Sequence, residues 1–447
     1  MTLKPKVSFG RRRPRPATSA CAAAAADAHR LLRPIRNDLV SLLQRLVRTN
    51  SVAVPPDGNE SAAQKVLLGF CRSFGLAVET YDAGFLKRSR HRLVRRDRNY
   101  AGRRNLIARI SGAGRGGSLL LTGHVDTVPP GDAAWKYGPF SGEIRGGRLY
   151  GRGSVDMKGG LAAHFAAAAA IRKAGVRLAG DLLCESVVDE EWAGGGGTLA
   201  GRLRGDNADA CVITEGTGLE VVRATRGGHF FDILVEAGDP SAYFSAGGAM
   251  SPAVAMGRLL GWVDQWAKRR RKVRRGAAYR DFDDPAPVQV LALEANSMAA
   301  DTPWAVPLKA GVRLYFQFLP HEDVPAVLAS VRRSLERFCR KDPFFSGHGP
   351  CWRDIIDAPL LGHELPAGHA WTRCLMGCAR AALRAEPRLS AAPYPCDAFI
   401  CQREFGTPTL LFGPGGAGAH NVNEYVTVRS VLKTAEVLLA AALAWCG

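Results

Sequence analysis

The residues best suited to chemistry in this sequence are two histidines and a set of carboxylates, which follow apolar runs along the chain. In chain order they are His124 and Asp126 in "TGHVDTVP", Asp156 in "YGRGSVDMKGG", Asp189, Glu190 and Glu191 in "SVVDEEWAGGGGT", Glu215 in "CVITEG", and His420 in "GPGGAGAH". One histidine after a strand is more often a core residue than a ligand. A core that held all of these carboxylates without a counter-charge would be strongly repulsive, so the set predicts a cation site.

Histidine nitrogens and carboxylate oxygens, with no thiolate among them, form a donor set that suits zinc or a similar divalent metal. The set has too many ligands for one tetrahedral ion, but it suits two ions, about 3.5 to 4 Å apart, that share a bridging carboxylate. Such a centre with one free carboxylate suits amide hydrolysis, because it can supply polarisation of the carbonyl, a nucleophile at neutral pH and a proton for the leaving nitrogen.

The elements that must position these residues alternate between short apolar strands and helices. Strand-like runs such as "NLIARI" and "SLLLTG" are followed by helical patterns such as "GLAAHFAAAAAIRKAG". This alternation predicts an α/β fold with a mostly parallel sheet covered by helices on both faces. Ligands gather at the carboxyl ends of the strands in such sheets. The histidines and carboxylates lie at those ends.

The pattern changes near Val222, where an alternating strand, "HFFDILVEAG", precedes a helix, another strand and another helix. We therefore expect an inserted α+β lid or dimerisation domain at residues 224–360. The catalytic domain would comprise residues 35–223 and 361–447. The basic, alanine-rich residues 1–34 are expected to form a disordered or loosely helical lead-in.

Five motifs have an order and spacing that are typical of one enzyme family: "GHVDTVP", "GRGSVDMKGG", "DEEWAGGGGT", "TEG" and "GAHNVNEYV". In these the chain resembles the di-zinc amidohydrolase and peptidase family of acetylornithine deacetylase, succinyl-diaminopimelate desuccinylase, aminoacylase and carboxypeptidase G. The resemblance runs from about residue 35 to 445. It implies a two-domain fold with a catalytic domain and an inserted lid.

The resemblance also implies two Zn²⁺ per subunit, with Co²⁺ or Mn²⁺ as alternatives. One ion would be held by His124 and Glu215, and the other by Glu191 and His420, with Asp156 bridging the two.

Two further roles follow from the same resemblance. Asp126 would accept a hydrogen bond from the His124 ring and fix its orientation. Glu190 would be the general base, taking a proton from a water between the metals and passing it to the leaving amine. A cis peptide bond is implied between Asp156 and Met157.

The inserted domain departs from the family's pattern at the places where relatives contact substrate. Where relatives carry a histidine, this chain reads "EAGDPSAYFSAGGAMSPAVA", and Tyr243 or Ser241 is expected to donate a hydrogen bond instead. Trp304 stands in the place of an asparagine, and Gln317 or Phe318 stands where an arginine that grips a substrate carboxylate is expected. Altered specificity, a rerouted oxyanion hole and reduced activity remain open alternatives.

Other candidate substrate contacts lie late in the chain. The glycine-rich turn before His420 would let a substrate approach the main chain at Gly415 and Gly416. It lacks the Lys-Ser/Thr of a nucleotide loop. Asp397, in "PCDAF", is either a substrate or metal-supporting group or a loop cap.

Composition restricts the remaining functions. The formal charge is +19, but the basic runs at 87–98 and 268–275 have no interleaved aromatics, so we interpret them as solvated faces and do not expect nucleic-acid binding. No apolar run reaches the length of a membrane span. Eleven cysteines without paired spacing indicate free thiols and a cytoplasmic location.

These observations predict a zinc-dependent hydrolase that cleaves the amide bond of an N-acyl amino acid or small peptide. The resemblance also implies a homodimer through the inserted domain. The alternative is a catalytically weak protein that keeps the metal site and binds a ligand or partner.

Overall fold

A computed structural model describes residues 18–236, 251–295, 309–347 and 349–447 of the chain. Tyr243, Ser241 and Trp304 lie outside these ranges. The described helices are α1 (Thr18–Leu32), α2 (Arg36–Arg48), α3 (Ser61–Ser73), α4 (Gly159–Lys173), α5 (Thr198–Arg204), α6 (Pro252–Arg270), α7 (Val324–Lys341), α8 (Ala370–Leu383) and α9 (Val428–Cys446).

The strands are short, and most of them belong to two separate sheets. In the first half of the chain they are β1 (Ala53–Val54), β2 (Asp57–Gly58), β3 (Ala77–Asp82), β4 (Arg104–Ile110), β5 (Leu119–His124), β6 (Glu143–Arg145), β7 (Arg148–Tyr150), β8 (Leu182–Val187) and β9 (Ala210–Ile213). In the second half they are β10 (Val221–Thr225), β11 (Gly227–Glu236), β12 (Val288–Ala295), β13 (Lys309–Phe318), β14 (Cys351–Asp354), β15 (His363–Glu364), β16 (Leu389–Ala392), β17 (Thr409–Leu411), β18 (Gly416–Ala417) and β19 (Tyr425–Thr427).

The larger sheet runs in the order β15-β10-β17-β9-β5-β8-β4-β3, with β16 also paired to β10. Its centre is parallel, because β5 pairs in parallel with β8 and β9, and β17 pairs in parallel with β9. The predicted α/β class is confirmed, but the sheet is mixed, since β3, β4 and β15 add antiparallel edges. Antiparallel neighbours need no crossover α-helix, and between β3 and β4 there is only a short 3-10 helix (Gly84–Arg88).

Alanine-rich helices cover one face of this sheet at close range. Every residue of α4 from 159 to 171 is buried, and α4 packs against both α9 and the sheet. Small side chains allow such helices to approach closely, so a helix with almost no polar face becomes part of the core.

The expectation of a disordered or loosely helical lead-in is wrong from Thr18 onward. Helix α1 buries Cys21, Ala24, Ala28 and Leu32 at a helical spacing against α8 and α9. The alanine run does not look strongly amphipathic in sequence, because its exposed and buried positions carry the same residue type.

The smaller sheet has the antiparallel order β12-β13-β11-β14, and α6 and α7 pack on one of its faces. The chain leaves the larger sheet after Thr225 and returns to it at His363. This is the predicted inserted α+β domain, and we call it the lid. A further small sheet, β18-β19-β7-β6, holds the loops around the candidate site.

The thiols agree with the expectation from cysteine spacing. All eleven cysteines are free. Several arginines of the basic runs form ion pairs, as Arg270 does with Glu322 and Arg271 with Asp284. Among the described helices, none combines the length and the hydropathy that a membrane span requires.

Candidate metal centre

The candidate ligands come together at the carboxyl ends of the parallel strands. His124 is the last residue of β5, Glu191 follows β8, Glu215 follows β9, and His420 follows β17 and β18. Asp156 comes from the loop between β7 and α4. Residues more than 290 positions apart thus meet at one edge of the sheet, as the sequence predicts.

One glycine shows how closely the backbone packs around this edge. A Cβ atom at Gly160 would lie 1.7 Å from the main-chain oxygen of Thr214. Only glycine therefore lets the first turn of α4 lie against the end of β9, where Glu215 begins the next loop.

The ligand atoms form two groups that share Asp156. His124, Asp156 and Glu215 form one group, and Asp156, Glu191 and His420 form the other, each with its ligand atoms within 4.8 Å of one another. Asp156 Oδ1 lies 3.1 Å from His124 Nε2, and its Oδ2 lies 3.1 Å from His420 Nε2. His420 Nε2 lies 2.9 Å from Glu191 Oε2. A carboxylate with one oxygen toward each group has the geometry of a bridging ligand.

The electrostatics of these groups point to missing positive charge. Burial raises the pKa of Glu215 to about 8, against the opposing effect of His124, and nearby Asp156 raises it further. Burial likewise raises the pKa of Glu190 well above its usual range. Hydrogen bonds to Asp156 and Glu191 raise the pKa of His420 to about 11. Divalent cations would compensate these carboxylates, so the donor set and its charge both fit the metal that the sequence predicts.

The orientation of His124 differs in detail from the prediction. Its Nδ1 donates to the main-chain oxygen of Asp126 at 2.9 Å, whereas the Asp126 carboxylate is 3.7 Å away. That carboxylate instead accepts hydrogen bonds from the main-chain N–H groups of Glu190 (3.3 Å) and Glu191 (3.2 Å). The residue two positions after a histidine can reach the ring with its carbonyl, which leaves its side chain free to hold the neighbouring turn.

Glu424 is a supporting residue that the motif "GAHNVNEYV" contains and that sequence reasoning missed. It is fully buried and accepts main-chain hydrogen bonds from Gly153 (2.8 Å), Val155 (2.9 Å) and Asp156 (3.2 Å). Arg152 pairs with it at 2.8 Å. Glu424 therefore fixes the loop that presents Asp156. The peptide bond between Asp156 and Met157 is cis, as predicted.

A cavity of about 890 Å³ lies between this centre and the lid. Asp397 lines it, is buried and has one carboxylate oxygen without a hydrogen-bond partner among the described residues. Burial raises the pKa of Asp397 to about 7. Asp397 is thus placed with the site and does not cap an exposed loop.

The two glycines predicted to meet substrate are not brought to the cavity wall. The N–H of Gly415 donates to Ser430 Oγ and its carbonyl accepts from the Thr427 N–H. Gly416 lies in β18, paired with β19. Their polar groups are used in holding the turn together, and His420, at the end of the turn, lines the cavity instead.

A comparison of the sequence with protein-family models shows to which family the chain belongs. The model of peptidase family M20/M25/M40 matches residues 120–444. The chain belongs to this family. The M20 chain is accordingly a metal-dependent hydrolase of the amidohydrolase and metallopeptidase type, as its sequence predicts.

Several individual relatives span nearly the whole M20 chain. N-formyl-4-amino-5-aminomethyl-2-methylpyrimidine deformylase of Bacillus subtilis is 24% identical over 433 residues, which are 92% of this chain and 95% of the relative. Succinyl-diaminopimelate desuccinylase of Gluconacetobacter diazotrophicus is 28% identical over 433 residues, which are 92% of this chain and 97% of the relative.

Solved structures share the fold. Human carnosine dipeptidase 1 superimposes with a TM-score of 0.71 at 18% identity, covering 97% of this chain and 100% of that one. Bacillus subtilis YXEP, described as a dinuclear metal-binding M20 peptidase, gives a TM-score of 0.60 at 13% identity, covering 92% of this chain and 98% of that one.

Proposed function

We propose that this M20 protein hydrolyses the amide bond of a small N-acyl amine, N-acyl amino acid or short peptide at a two-zinc centre, with Glu190 as the general base. The position of Glu190 carries the proposal. It belongs to neither ligand group, yet it lines the same cavity and its carboxylate lies 3.8 Å from His124 Nε2.

The two ligand groups would each hold one metal ion. His124 and Glu215 would hold one divalent ion, Glu191 and His420 the other, and Asp156 would bridge them. Two ions bound there would supply Lewis acidity to the amide carbonyl and to a water.

The protein's own task is to move a proton. Glu190 would accept a proton from the attacking water and return it to the departing nitrogen, which otherwise leaves as an unstable amide anion. Asp126 keeps the Glu190 main chain in place through its hydrogen bond to the Glu190 N–H. Burial raises the pKa of Glu190, and divalent ions bound beside it would oppose that shift and favour the ionised carboxylate that a base requires.

The choice of reaction has support from relatives. The first of the two described above is named a deformylase and the second a desuccinylase, so removal of an acyl group from an amine is the reaction we favour. The nitrogen and oxygen donor set supports zinc, and Co²⁺ or Mn²⁺ would suit the same ligands.

The experiment compares Glu190→Gln with Glu191→Gln in the metal-loaded protein. Glu190→Gln should lower kcat about 10²- to 10⁴-fold on a panel of N-formyl, N-acetyl and N-succinyl compounds and dipeptides, while the metal content stays unchanged. Glu191→Gln should lose metal as well as activity, because it removes a ligand. Measurement of metal content by elemental analysis separates the two effects.

Two outcomes would count against the proposal. A Glu190→Gln variant that keeps both metal and full activity would remove Glu190 from the mechanism. A wild-type protein that holds metal but is as inert as the variant would favour the catalytically weak binding protein.

A further inference from the structure

The lid sheet has one face packed on helices and one face turned to the cavity. Phe231, Leu314 and Phe316 point into the lid core with α6 and α7. Because side chains alternate along a strand, Phe230 and Tyr315 point the other way, and both line the cavity that contains Glu190.

Phe230 and Tyr315 stack one on the other, so that Tyr315 is buried and the half-buried Phe230 is the outer ring toward the cavity. They are cross-strand partners of β11 and β13, and their rings stack with centroids 4.4 Å apart and an interplanar angle of 25°. A Cβ atom at Gly228 would lie 2.7 Å from the Tyr315 ring, so glycine there lets the ring lie on the strand. Leu291 and Leu360 extend this pair with apolar surface. We call these four side chains the lid wall.

The polar groups next to the lid wall are already paired. Gln317 Oε1 accepts from Arg226 at 2.7 Å, and Gln317 Nε2 donates to the Tyr315 hydroxyl at 2.9 Å. Burial raises the pKa of Tyr315 to about 12, so its hydroxyl stays neutral. Gln317 Nε2 keeps a second N–H and the Tyr315 hydroxyl keeps its own proton, but both groups are neutral, so the lid wall carries no charge.

Each arginine that lines the cavity has an acidic partner, while Arg95 Nη1 and Arg98 Nε make no hydrogen bond within the described residues. Arg95 and Arg98 both bind Asp97, and Arg313 binds Asp232 with two hydrogen bonds. A substrate carboxylate would have to compete with these acidic partners. An uncharged ring would instead gain stacking and apolar contact on the lid wall without such competition.

We propose that the lid wall is the subsite for a flat, uncharged aromatic ring that the substrate projects from its amide. The inference rests on the proposed function, since it names the class of amide that the same cavity accepts. It predicts that a carboxylate next to the ring lowers the affinity, because the wall provides no free cation to receive it.

The test uses four amides: N-acetylbenzylamine, N-methyl-2-phenylacetamide, N-acetylhexylamine and N-acetylphenylalanine. For N-acetylbenzylamine or N-methyl-2-phenylacetamide, the KM should be about threefold to tenfold lower than for N-acetylhexylamine and N-acetylphenylalanine. A factor of this size corresponds to the free energy of one aromatic stacking contact. Phe230→Ala should raise the KM for that aromatic amide by a similar factor and the KM for N-acetylhexylamine by less, because the hexyl chain loses apolar contact but no ring stacking. Phe85→Ala, which truncates an exposed ring away from the cavity, is the matched control.

A second readout does not need turnover. Calorimetric titration of the metal-free protein with N-acetylbenzylamine and with N-methyl-2-phenylacetamide should show, for at least one of them, binding that Phe230→Ala weakens and Phe85→Ala does not. A preference for N-acetylphenylalanine, or an equal effect of Phe230→Ala on all four amides, would overturn the inference and leave the proposed function standing. Absence of all turnover in the metal-loaded protein would contradict the proposed function, and calorimetry would still decide about the lid wall.

Discussion

At the scale of single residues, the centre depends on carboxylates that hold main-chain groups as much as on those that face a metal. Asp126 accepts hydrogen bonds from the Glu190 and Glu191 N–H groups, and Glu424 holds the loop of Asp156 in the same way. Both are fully buried. Each carboxylate holds the main chain of a candidate metal ligand in place. We therefore expect Asp126 and Glu424 to affect metal affinity more than their negative charge alone would.

Asp126→Asn tests this arrangement. The amide keeps one acceptor for two N–H groups, so the turn of Glu190 and Glu191 should loosen and metal affinity should fall about 10- to 100-fold. Competition with a chromophoric chelator measures the affinity. The matched control is Asp82→Asn, because Asp82 caps a main-chain N–H (Gly84, 2.8 Å) at an exposed position away from the centre. Equal affinities of the Asp126 and Asp82 variants would show that the turn does not need the carboxylate.

At the scale of elements, the helix that precedes the predicted catalytic domain is part of its core. Helix α1 packs on α8 and α9, and its buried residues repeat every three to four positions. Alanine at both buried and exposed positions hides this pattern in the sequence. The helix therefore has to be identified from its partners rather than from its own periodicity.

Ala28→Gln and Ala26→Gln place the same side chain on opposite faces of α1. Ala28 is fully buried, so glutamine there should overpack the contact with α8 and α9 and lower the free energy of unfolding by about 2 kcal/mol or more. Ala26 is exposed, and its variant should stay within about 0.5 kcal/mol of the wild type. Denaturant unfolding measures both. Similar values for the two variants would mean that α1 does not pack as described.

At the scale of the whole molecule, the fold gathers negative charge at one sheet edge within a chain of net charge +19. Carboxylates from the ends of separate strands face one another there, and burial keeps water from screening them. The rest of the surface pairs many of its arginines with acidic groups. Folding without a metal must therefore overcome repulsion at the centre, which links stability to metal binding.

Metal removal should consequently destabilise the protein as a whole. Readdition of Zn²⁺ at 100 times its Kd should raise the free energy of unfolding by about 2.7 kcal/mol, the value for a single site that binds only the folded state. Asp156→Asn, which weakens the ligand shared by both groups, should abolish most of this gain. Denaturant unfolding with and without chelator is the measurement. A gain of the same size in the variant would place the stabilising metal elsewhere.

The sequence by itself determined the residue types of the candidate site and their order along the chain. Position after apolar runs was enough to bring His124, Glu191 and Glu215 to one edge, because parallel strands align their carboxyl ends, whereas Asp156 and His420 reach that edge from the loops before α4 and after β18. The same reasoning predicted the α/β class and the insertion, which depend on the local period of apolar residues.

Tertiary structure decided what local patterns do not encode. It assigned the Asp126 carboxylate to a main chain 64 residues away, placed Glu424 under the Asp156 loop, docked α1 into the core and turned Phe230 and Tyr315 toward the cavity. Each of these is a contact between distant segments, and its energy depends on which surfaces the whole chain brings together. The sequence thus predicts the residues of the candidate metal site. The packing of the lid on the catalytic domain determines the shape of the cavity, on which the substrate class that we propose depends.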